Sequence, residues 1–99
     1  MAVQYDPHMI LSKKPEILCA DVGGELALMS AANGKYYILN SVASDIWRML
    51  DSPTEYGQLA RVLTEKYDGD PAVIQDDLGS TIEEWATHRL IDLAPASTP

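Results

Sequence analysis

The chain contains a single cysteine, no phenylalanine and few basic residues. Cys19 has no second cysteine to pair with, which excludes an intramolecular disulfide and a cysteine metal cluster. Asp and Glu number 15 against 7 Lys and Arg, and the net charge of −8 disfavours nucleic acid or an anionic membrane as partner. No apolar run approaches the ~18 residues of a membrane span, and no basic-then-apolar signal is visible. These absences predict a soluble, cytoplasmic protein without metal or cofactor.

The length of 99 residues fits one domain, with an ordinary apolar fraction of 46% and charged fraction of 22%. Residues 1–9 have mixed composition and include Pro7, which predicts a flexible lead-in. Residues 94–99 are small or contain proline, which predicts a disordered tail. The folded domain is therefore expected to span residues 10–93.

Two-residue alternation dominates the first half of the domain and predicts three strands. Residues 17–22 read as a strand, Gly23-Gly24 as a turn, and residues 25–30 as a half-buried strand. Asn33-Gly34, a strong hairpin signal, precedes a third strand at residues 35–39. The short links between these strands predict an antiparallel meander.

Helical periodicity begins after Asn40, whose side chain, or that of Ser41, can cap a first helix. The run Ser-Pro-Thr-Glu at residues 52–55 resembles a capping box that opens a second helix. Asp70-Pro71 opens a third. The order predicts an α+β fold in which a three-stranded antiparallel sheet is followed by three helices, with residues 89–93 as a docked C-terminal segment.

The residues offer no support for catalysis, because no nucleophile has a base nearby. Cys19 lies in a predicted strand and is expected to be a buried small hydrophobe. His8 and His88 are far apart in the sequence, and each is expected in a surface or capping role, His88 near the end of the third helix. The carboxylates of the third helix are expected to form a solvated acidic face. The sequence therefore predicts a protein that is not an enzyme.

A small sheet with three helices also suggests a winged-helix DNA-binding domain. Such a domain reads DNA with a helix rich in Arg and Lys, whereas the third helix here carries Asp76, Asp77, Glu83 and Glu84. Phosphates would repel that helix. Binding of an extended peptide at the sheet edge is the favoured alternative.

The aromatic strand at residues 35–39 is the expected edge. Tyr36 and Tyr37 must point to opposite faces, so one contributes to the core and the other can line a groove, and the sequence does not decide which. Trp47 is expected in the core, whereas Trp85 fits either the core or a groove wall. Asp77 lies at the border of the apolar stripe, where it can meet a bound peptide.

Two motifs resemble the PqqD-like proteins, the recognition elements for ribosomally made, post-translationally modified peptides (RiPPs). One is the run Gly-Lys-Tyr-Tyr-Ile-Leu-Asn at residues 34–40 followed by Ile46-Trp47. The other is the Asp-Leu-x-x-x-Ile-x-x-Trp pattern that begins at Asp77. The resemblance covers residues 10–93 and implies a winged-helix-like fold that binds leader peptides without catalysis.

The resemblance implies that a leader peptide adds a strand to the third strand, in a cleft walled by the third helix. The positions it implicates are Lys35, Tyr36, Tyr37, Ile38, Leu39, Ile74, Asp77, Leu78, Thr81 and Trp85. It also implies a leader peptidase and a cyclase of a lasso-peptide pathway as partners, or else a radical-SAM enzyme. The chain departs from the family pattern where Val42-Ala43 replaces Thr-Gly and where Arg89 replaces Gly.

Overall fold

The computed structural model describes residues 6–95, which fold into two small antiparallel sheets and three helices. The strands are β1 (Ile10–Lys13), β2 (Ile17–Val22), β3 (Glu25–Ser30), β4 (Tyr36–Ile38), β5 (Thr54–Glu55) and β6 (Ile91–Ala94). The helices are α1 (Ser41–Met49), α2 (Tyr56–Lys66) and α3 (Pro71–Thr87). The predicted α+β class is confirmed.

The predicted meander is the sheet β2-β3-β4. Gly23 and Gly24 both have positive φ, the conformation that a glycine turn between two strands allows at little cost. Leu26 and Leu28 of β3 are buried, as their alternation predicted. One face of this sheet therefore packs on the core.

A second sheet, β5-β1-β6, was not predicted. In it β1 pairs with both β5 and β6, so that the expected C-terminal segment is in fact a strand beside the start of the domain. The two partners lie far apart in sequence, and β5 has only two residues. The local sequence pattern carries no information about pairing between distant segments, so the second sheet could not be predicted from it.

Two of the three predicted helix starts are confirmed. The side chain of Asn40 accepts a hydrogen bond from the Ala43 N–H at 2.9 Å, and Asp70 caps α3 in the same way through Ala72. The capping box at residues 52–55 is wrong. Thr54 and Glu55 pair with β1 instead, and the Glu55 side chain makes no capping hydrogen bond.

The core lies between the sheets and the helices, and it includes Trp47 as predicted. The ring of Trp85 is also buried and meets Trp47 edge to face, with centroids 5.3 Å apart. Cys19, by contrast, is exposed, so its predicted burial is wrong. It lies on the edge strand β2, where only Ile17 packs against the core.

The described residues include parts of the predicted lead-in and of the predicted tail. Residues 1–5 of the predicted lead-in and residues 96–99 of the predicted tail lie outside the described residues. Within the lead-in, the carbonyls of Pro7 and Met9 accept hydrogen bonds from the Gly57 and Tyr56 N–H groups. Ala94, assigned to the tail by sequence, is the last residue of β6.

Candidate functional site

The outer edge of β4 presents backbone groups that no other strand of the described chain pairs with. The Ser30 N–H donates to the Lys35 carbonyl at 2.9 Å, and the Leu39 N–H donates to the Leu26 carbonyl at 2.8 Å. In an antiparallel ladder, alternate residues direct both backbone groups to the same side. The N–H and C=O groups of Tyr36 and Ile38 therefore point away from β3, to the open edge.

The same alternation decides which tyrosine faces which way. Tyr37 pairs with buried Leu28 and is itself half-buried on the inner face of the sheet. Tyr36 and Ile38 pair with Met29 and Ala27, and their side chains are exposed on the outer face. Tyr37 is thus the aromatic that faces the helices.

A cavity of about 220 Å³, here called the strand cavity, lies between β4 and α3. It is smaller than the ~300–1,000 Å³ typical of sites for drug-sized ligands and suits a side chain better. Five of its ten lining residues are among the positions that the resemblance implicated. The lining residues are Tyr37, Ile38, Leu39, Asn40, Ala43, Thr81, Glu84, Trp85, His88 and Leu90.

His88 closes one end of the strand cavity. Its ring centroid lies 5.2 Å from that of Tyr37, with the planes tilted by 47°. His88 is exposed, as the sequence predicted, but the sequence did not assign it to the site. Its spacing from Thr81, Glu84 and Trp85 along one helical face is the signal that finds it.

The end of α3 fixes the position of His88. The Arg89 N–H donates to the Ala86 carbonyl at 3.1 Å, and the Leu90 N–H donates to the Trp85 carbonyl at 2.8 Å. This is the Schellman arrangement, with Arg89 at the left-handed position and a φ of 60°. Glycine is favoured at this position because it has no Cβ to clash in the left-handed conformation. This explains why the PqqD-like pattern has Gly where this chain has Arg89.

A second cavity of about 160 Å³, the helix cavity, lies among the three helices. Its lining is mainly aliphatic, with Tyr67, Asp77 and Thr81 as the three polar members. The lining residues are Val42, Ile46, Leu63, Tyr67, Ile74, Asp77, Leu78 and Thr81. Contributions from α2 could not be read from sequence, because they depend on how the helices pack.

Thr81 lines both cavities and so joins them along α3. Its hydroxyl donates to the Asp77 carbonyl one turn earlier, at 2.9 Å. That bond occupies the hydroxyl within the helix. Thr81 therefore lies at the boundary between the strand cavity and the helix cavity.

Ser44 stabilises the connection between β4 and α1. Its buried hydroxyl accepts from the Leu26 N–H at 3.0 Å and donates to the Leu39 carbonyl at 3.2 Å. These two groups would face each other at the end of the β3–β4 ladder, and the hydroxyl bridges them. The bridge satisfies both buried groups and fixes the strand edge relative to the helix.

Asp45 fixes the position of Tyr67, one of the residues that line the helix cavity. Its carboxylate accepts a hydrogen bond from the Tyr67 hydroxyl and pairs with Lys66 at 3.2 Å and Arg48 at 3.4 Å. The Tyr67 hydrogen bond is the main cause that holds the pKa of Asp45 below its usual value. The same bond raises the pKa of Tyr67 to about 12.

The structure distributes the ten predicted site residues over three places. Tyr37, Ile38, Leu39, Thr81 and Trp85 line the strand cavity, and Ile74, Asp77, Leu78 and Thr81 line the helix cavity. Leu39, Leu78 and Trp85 are buried core residues as well as cavity walls. Lys35 and Tyr36 line neither of the two cavities, and both are exposed.

Among residues 6–95, no three His, Cys, Asp or Glu side chains group so that they could hold a metal ion. None of the helices formed by these residues is long and apolar enough to span a membrane.

Two solved structures share the fold. One is TbiB1 in complex with the TbiA(beta) leader peptide, with a TM-score of 0.76 and 21% identity, covering 82% of this chain and 94% of that one. The other is a lasso peptide synthetase B1 complexed with the leader peptide, with a TM-score of 0.72 and 23% identity, covering 83% of this chain and 96% of that one.

No curated protein sequence matches the chain. The family model described as coenzyme PQQ synthesis protein D (PqqD) matches residues 25–91. The match runs from β3 to the start of β6 and includes the β4 edge, both cavities and all of α3. It covers more than half of the chain, and the chain therefore belongs to the PqqD family.

Proposed function

We propose that this protein is a non-catalytic recognition element that binds the leader of a precursor peptide in RiPP biosynthesis. The observation that carries the proposal is the open edge of β4 beside a cavity walled by α3. Membership of the PqqD family and a fold shared with two proteins in complex with leader peptides support it. The protein acts in the cytoplasm, where precursor peptides are made.

The leader binds as an added strand. Its backbone pairs with the outward N–H and C=O groups of Tyr36 and Ile38, which supply affinity that depends little on leader sequence. Because strand side chains alternate, every second leader residue faces α3 and enters the strand cavity beside Tyr37. Backbone pairing thus holds the peptide, and the cavity selects it.

A second anchor enters the helix cavity. A peptide that continues past the end of β4 reaches Thr81 and the aliphatic pocket beyond it, where Ile74 and Leu78 receive an apolar side chain. Asp77 lies at this pocket and can accept a hydrogen bond from the peptide. Two spaced apolar or aromatic residues, such as Tyr, Pro or Leu, are therefore the expected leader signature.

The function is to present the bound precursor to separate processing enzymes. We favour the leader peptidase and cyclase of a lasso-peptide pathway as partners, because both structural relatives carry leader peptides and one is named a lasso peptide synthetase component. The second candidate is a peptide chaperone for a radical-SAM enzyme in pyrroloquinoline quinone synthesis, which the name of the family model favours.

A titration with fluorescently labelled leader peptides tests the proposal. A lasso-type leader is expected to bind with a dissociation constant of about 10 nM to 1 μM, equivalent to roughly −8 to −11 kcal/mol. A scrambled peptide of the same composition is the control. Absence of binding by leaders of both the lasso and the pyrroloquinoline quinone pathways would overturn the proposal.

A duplex oligonucleotide in the same assay tests the winged-helix alternative. The sequence of α3 contains four carboxylates and no Lys or Arg, so we expect no salt-sensitive DNA binding. Tight duplex binding that weakens steeply with salt would instead favour a DNA-binding role.

A further inference from the structure

Glu84 of α3 lines the strand cavity, but its carboxylate forms no ion pair with any residue that the structure describes. His88 lies one turn further along the helix and lines the same cavity. Its N–H donates to the Glu84 backbone carbonyl at 3.0 Å, whereas its ring contacts Tyr37 and does not pair with the carboxylate. A ligand can therefore bind the Glu84 carboxylate without displacing an internal ion pair.

The basic residues of the chain do not supply a cation to this carboxylate. Arg61 lies on α2, and Lys35 and Arg89 lie just before β4 and just after α3, and none of the three lines the strand cavity. The other four of the seven Lys and Arg residues form ion pairs with aspartates outside α3: Lys13, Lys14, Arg48 and Lys66. A cation for Glu84 must therefore come from the bound leader.

The strand cavity combines apolar walls with the Glu84 carboxylate. Leu39, Trp85 and Leu90 line it and are no more than 5% exposed, so they form its floor, whereas Glu84 is exposed and lies at its mouth. Lys and Arg side chains have an apolar stem and a charged head. Such a side chain can lay its stem against the apolar walls and the Tyr37 ring while its head meets the carboxylate.

The spacing of side chains in a strand separates this basic residue from the apolar anchor. Leader side chains that face α3 are two positions, or roughly 7 Å, apart. When one of them occupies the floor of the strand cavity, the next lies over its mouth. We propose that Glu84 is a specificity-determining residue that pairs with a Lys or Arg of the leader two positions from the apolar anchor. The proposal rests on the proposed function and adds a charge to the leader signature stated there.

Glu83 provides a matched control for the position of the charge. A protein with a net charge of −8 attracts any basic peptide over a distance, so a general preference for basic leaders would not implicate Glu84. Glu83 precedes it on α3 and is also exposed, but it lines neither cavity. Glu83→Lys and Glu84→Lys change the net charge equally, and only Glu84→Lys changes the charge in the strand cavity.

A charge scan of a fluorescently labelled lasso-type leader peptide tests the pairing. Lys, Gln or Glu replaces each leader residue in turn, and every peptide is titrated into wild type, Glu84→Lys, Glu84→Gln and Glu83→Lys, each shown to be folded by thermal unfolding. At one leader position, wild type is expected to bind the Lys peptide at least fivefold more tightly than the Glu peptide. Glu84→Lys should invert that preference, Glu84→Gln should reduce it to less than twofold, and Glu83→Lys should keep it.

Two results overturn the role of Glu84 while the proposed function stands. In one, the unsubstituted leader binds but neither Glu84 variant changes the charge preference at any leader position. In the other, Glu83→Lys changes the preference as much as Glu84→Lys does, which assigns the effect to the charge of the whole protein. Failure of wild type to bind the unsubstituted leader of either pathway contradicts the proposed function itself, and the pairing with it, so the two failures are distinguishable.

Discussion

The ring of Tyr37 on β4 lies 5.2 Å from the ring of His88 at the end of α3, and this contact joins the two walls of the strand cavity. Strand and helix thereby present one surface to a peptide at the β4 edge. In the proposed complex, the backbone groups of Tyr36 and Ile38 pair with the leader, while Tyr37 and α3 form the pocket for its side chain.

Replacement of Tyr37 tests the pocket. Tyr37→Ala removes the aromatic wall and the contact with His88, which we expect to cost about 1 to 2 kcal/mol of leader binding. That equals a roughly 5- to 30-fold higher dissociation constant by titration. Tyr37→Phe keeps the ring and is expected to bind within threefold of wild type. Equal binding by Tyr37→Ala and wild type would exclude this wall from the site.

Proline at the strand edge tests the backbone pairing. Ile38→Pro removes an outward N–H that the added strand needs, and we expect at least tenfold weaker leader binding. Cys19→Pro is the matched control, because Cys19 directs its N–H to the opposite open edge of the same sheet. If the Cys19 variant weakens binding as much as the Ile38 variant, the leader does not pair with β4.

Arg89 holds a left-handed backbone conformation that disfavours residues with a Cβ. Arg89→Gly is expected to stabilise the protein by about 0.5–1 kcal/mol. The corresponding rise in melting temperature is roughly 3–6 °C for a domain of this size. Arg89→Ala removes the charge but keeps the strain, so its melting temperature should not rise. If Arg89→Ala raised the melting temperature as much as Arg89→Gly, the gain would be due to removal of the charge and not to relief of strain.

The Tyr67–Asp45 hydrogen bond predicts a pH dependence of stability at both extremes. The lowered pKa of Asp45 contributes stability above its unfolded value near 3.9, and this contribution is lost as pH falls through the lower folded value. The raised pKa of Tyr67 contributes stability below about 10, and this is lost as pH rises toward about 12.

Urea unfolding across the pH range measures both losses. In Tyr67→Phe, the loss of stability at alkaline pH that is due to this residue should disappear. The loss of stability at acid pH should become smaller, because Asp45 no longer has its main hydrogen bond. A free energy of unfolding of the wild-type protein that does not change from pH 9 to 12 would contradict the raised pKa of Tyr67.

The sequence allowed the meander and the caps of α1 and α3 to be predicted, because each rests on local alternation or on one side chain near a helix start. The second sheet was missed because β1, β5 and β6 meet only through the tertiary fold. Cys19 was placed inside by its residue type, whereas its exposure follows from β2 being an edge strand.

The site residues also divide into those indicated by the local sequence and those brought in only by the tertiary fold. Thr81 and Trp85 were assigned to the site by the resemblance to the PqqD-like proteins, and in the structure they lie on one face of α3 and line the strand cavity. Leu63 of α2 and Tyr67, the residue that follows α2, enter the helix cavity only because of interhelical packing, which the sequence does not encode locally. The direction of Tyr37 became clear once its pairing with Leu28 was known.

Leader titrations of Thr81→Trp and Thr81→Val test the central claim most directly, because Thr81 lies where the two cavities meet. An indole there fills the space that the leader side chains need, whereas valine keeps the shape and removes only the hydroxyl. We expect Thr81→Trp to bind the leader at least 30-fold more weakly, a loss of about 2 kcal/mol. Thr81→Val should bind like wild type. A folded Thr81→Trp that binds the leader with wild-type affinity would contradict a leader site between β4 and α3.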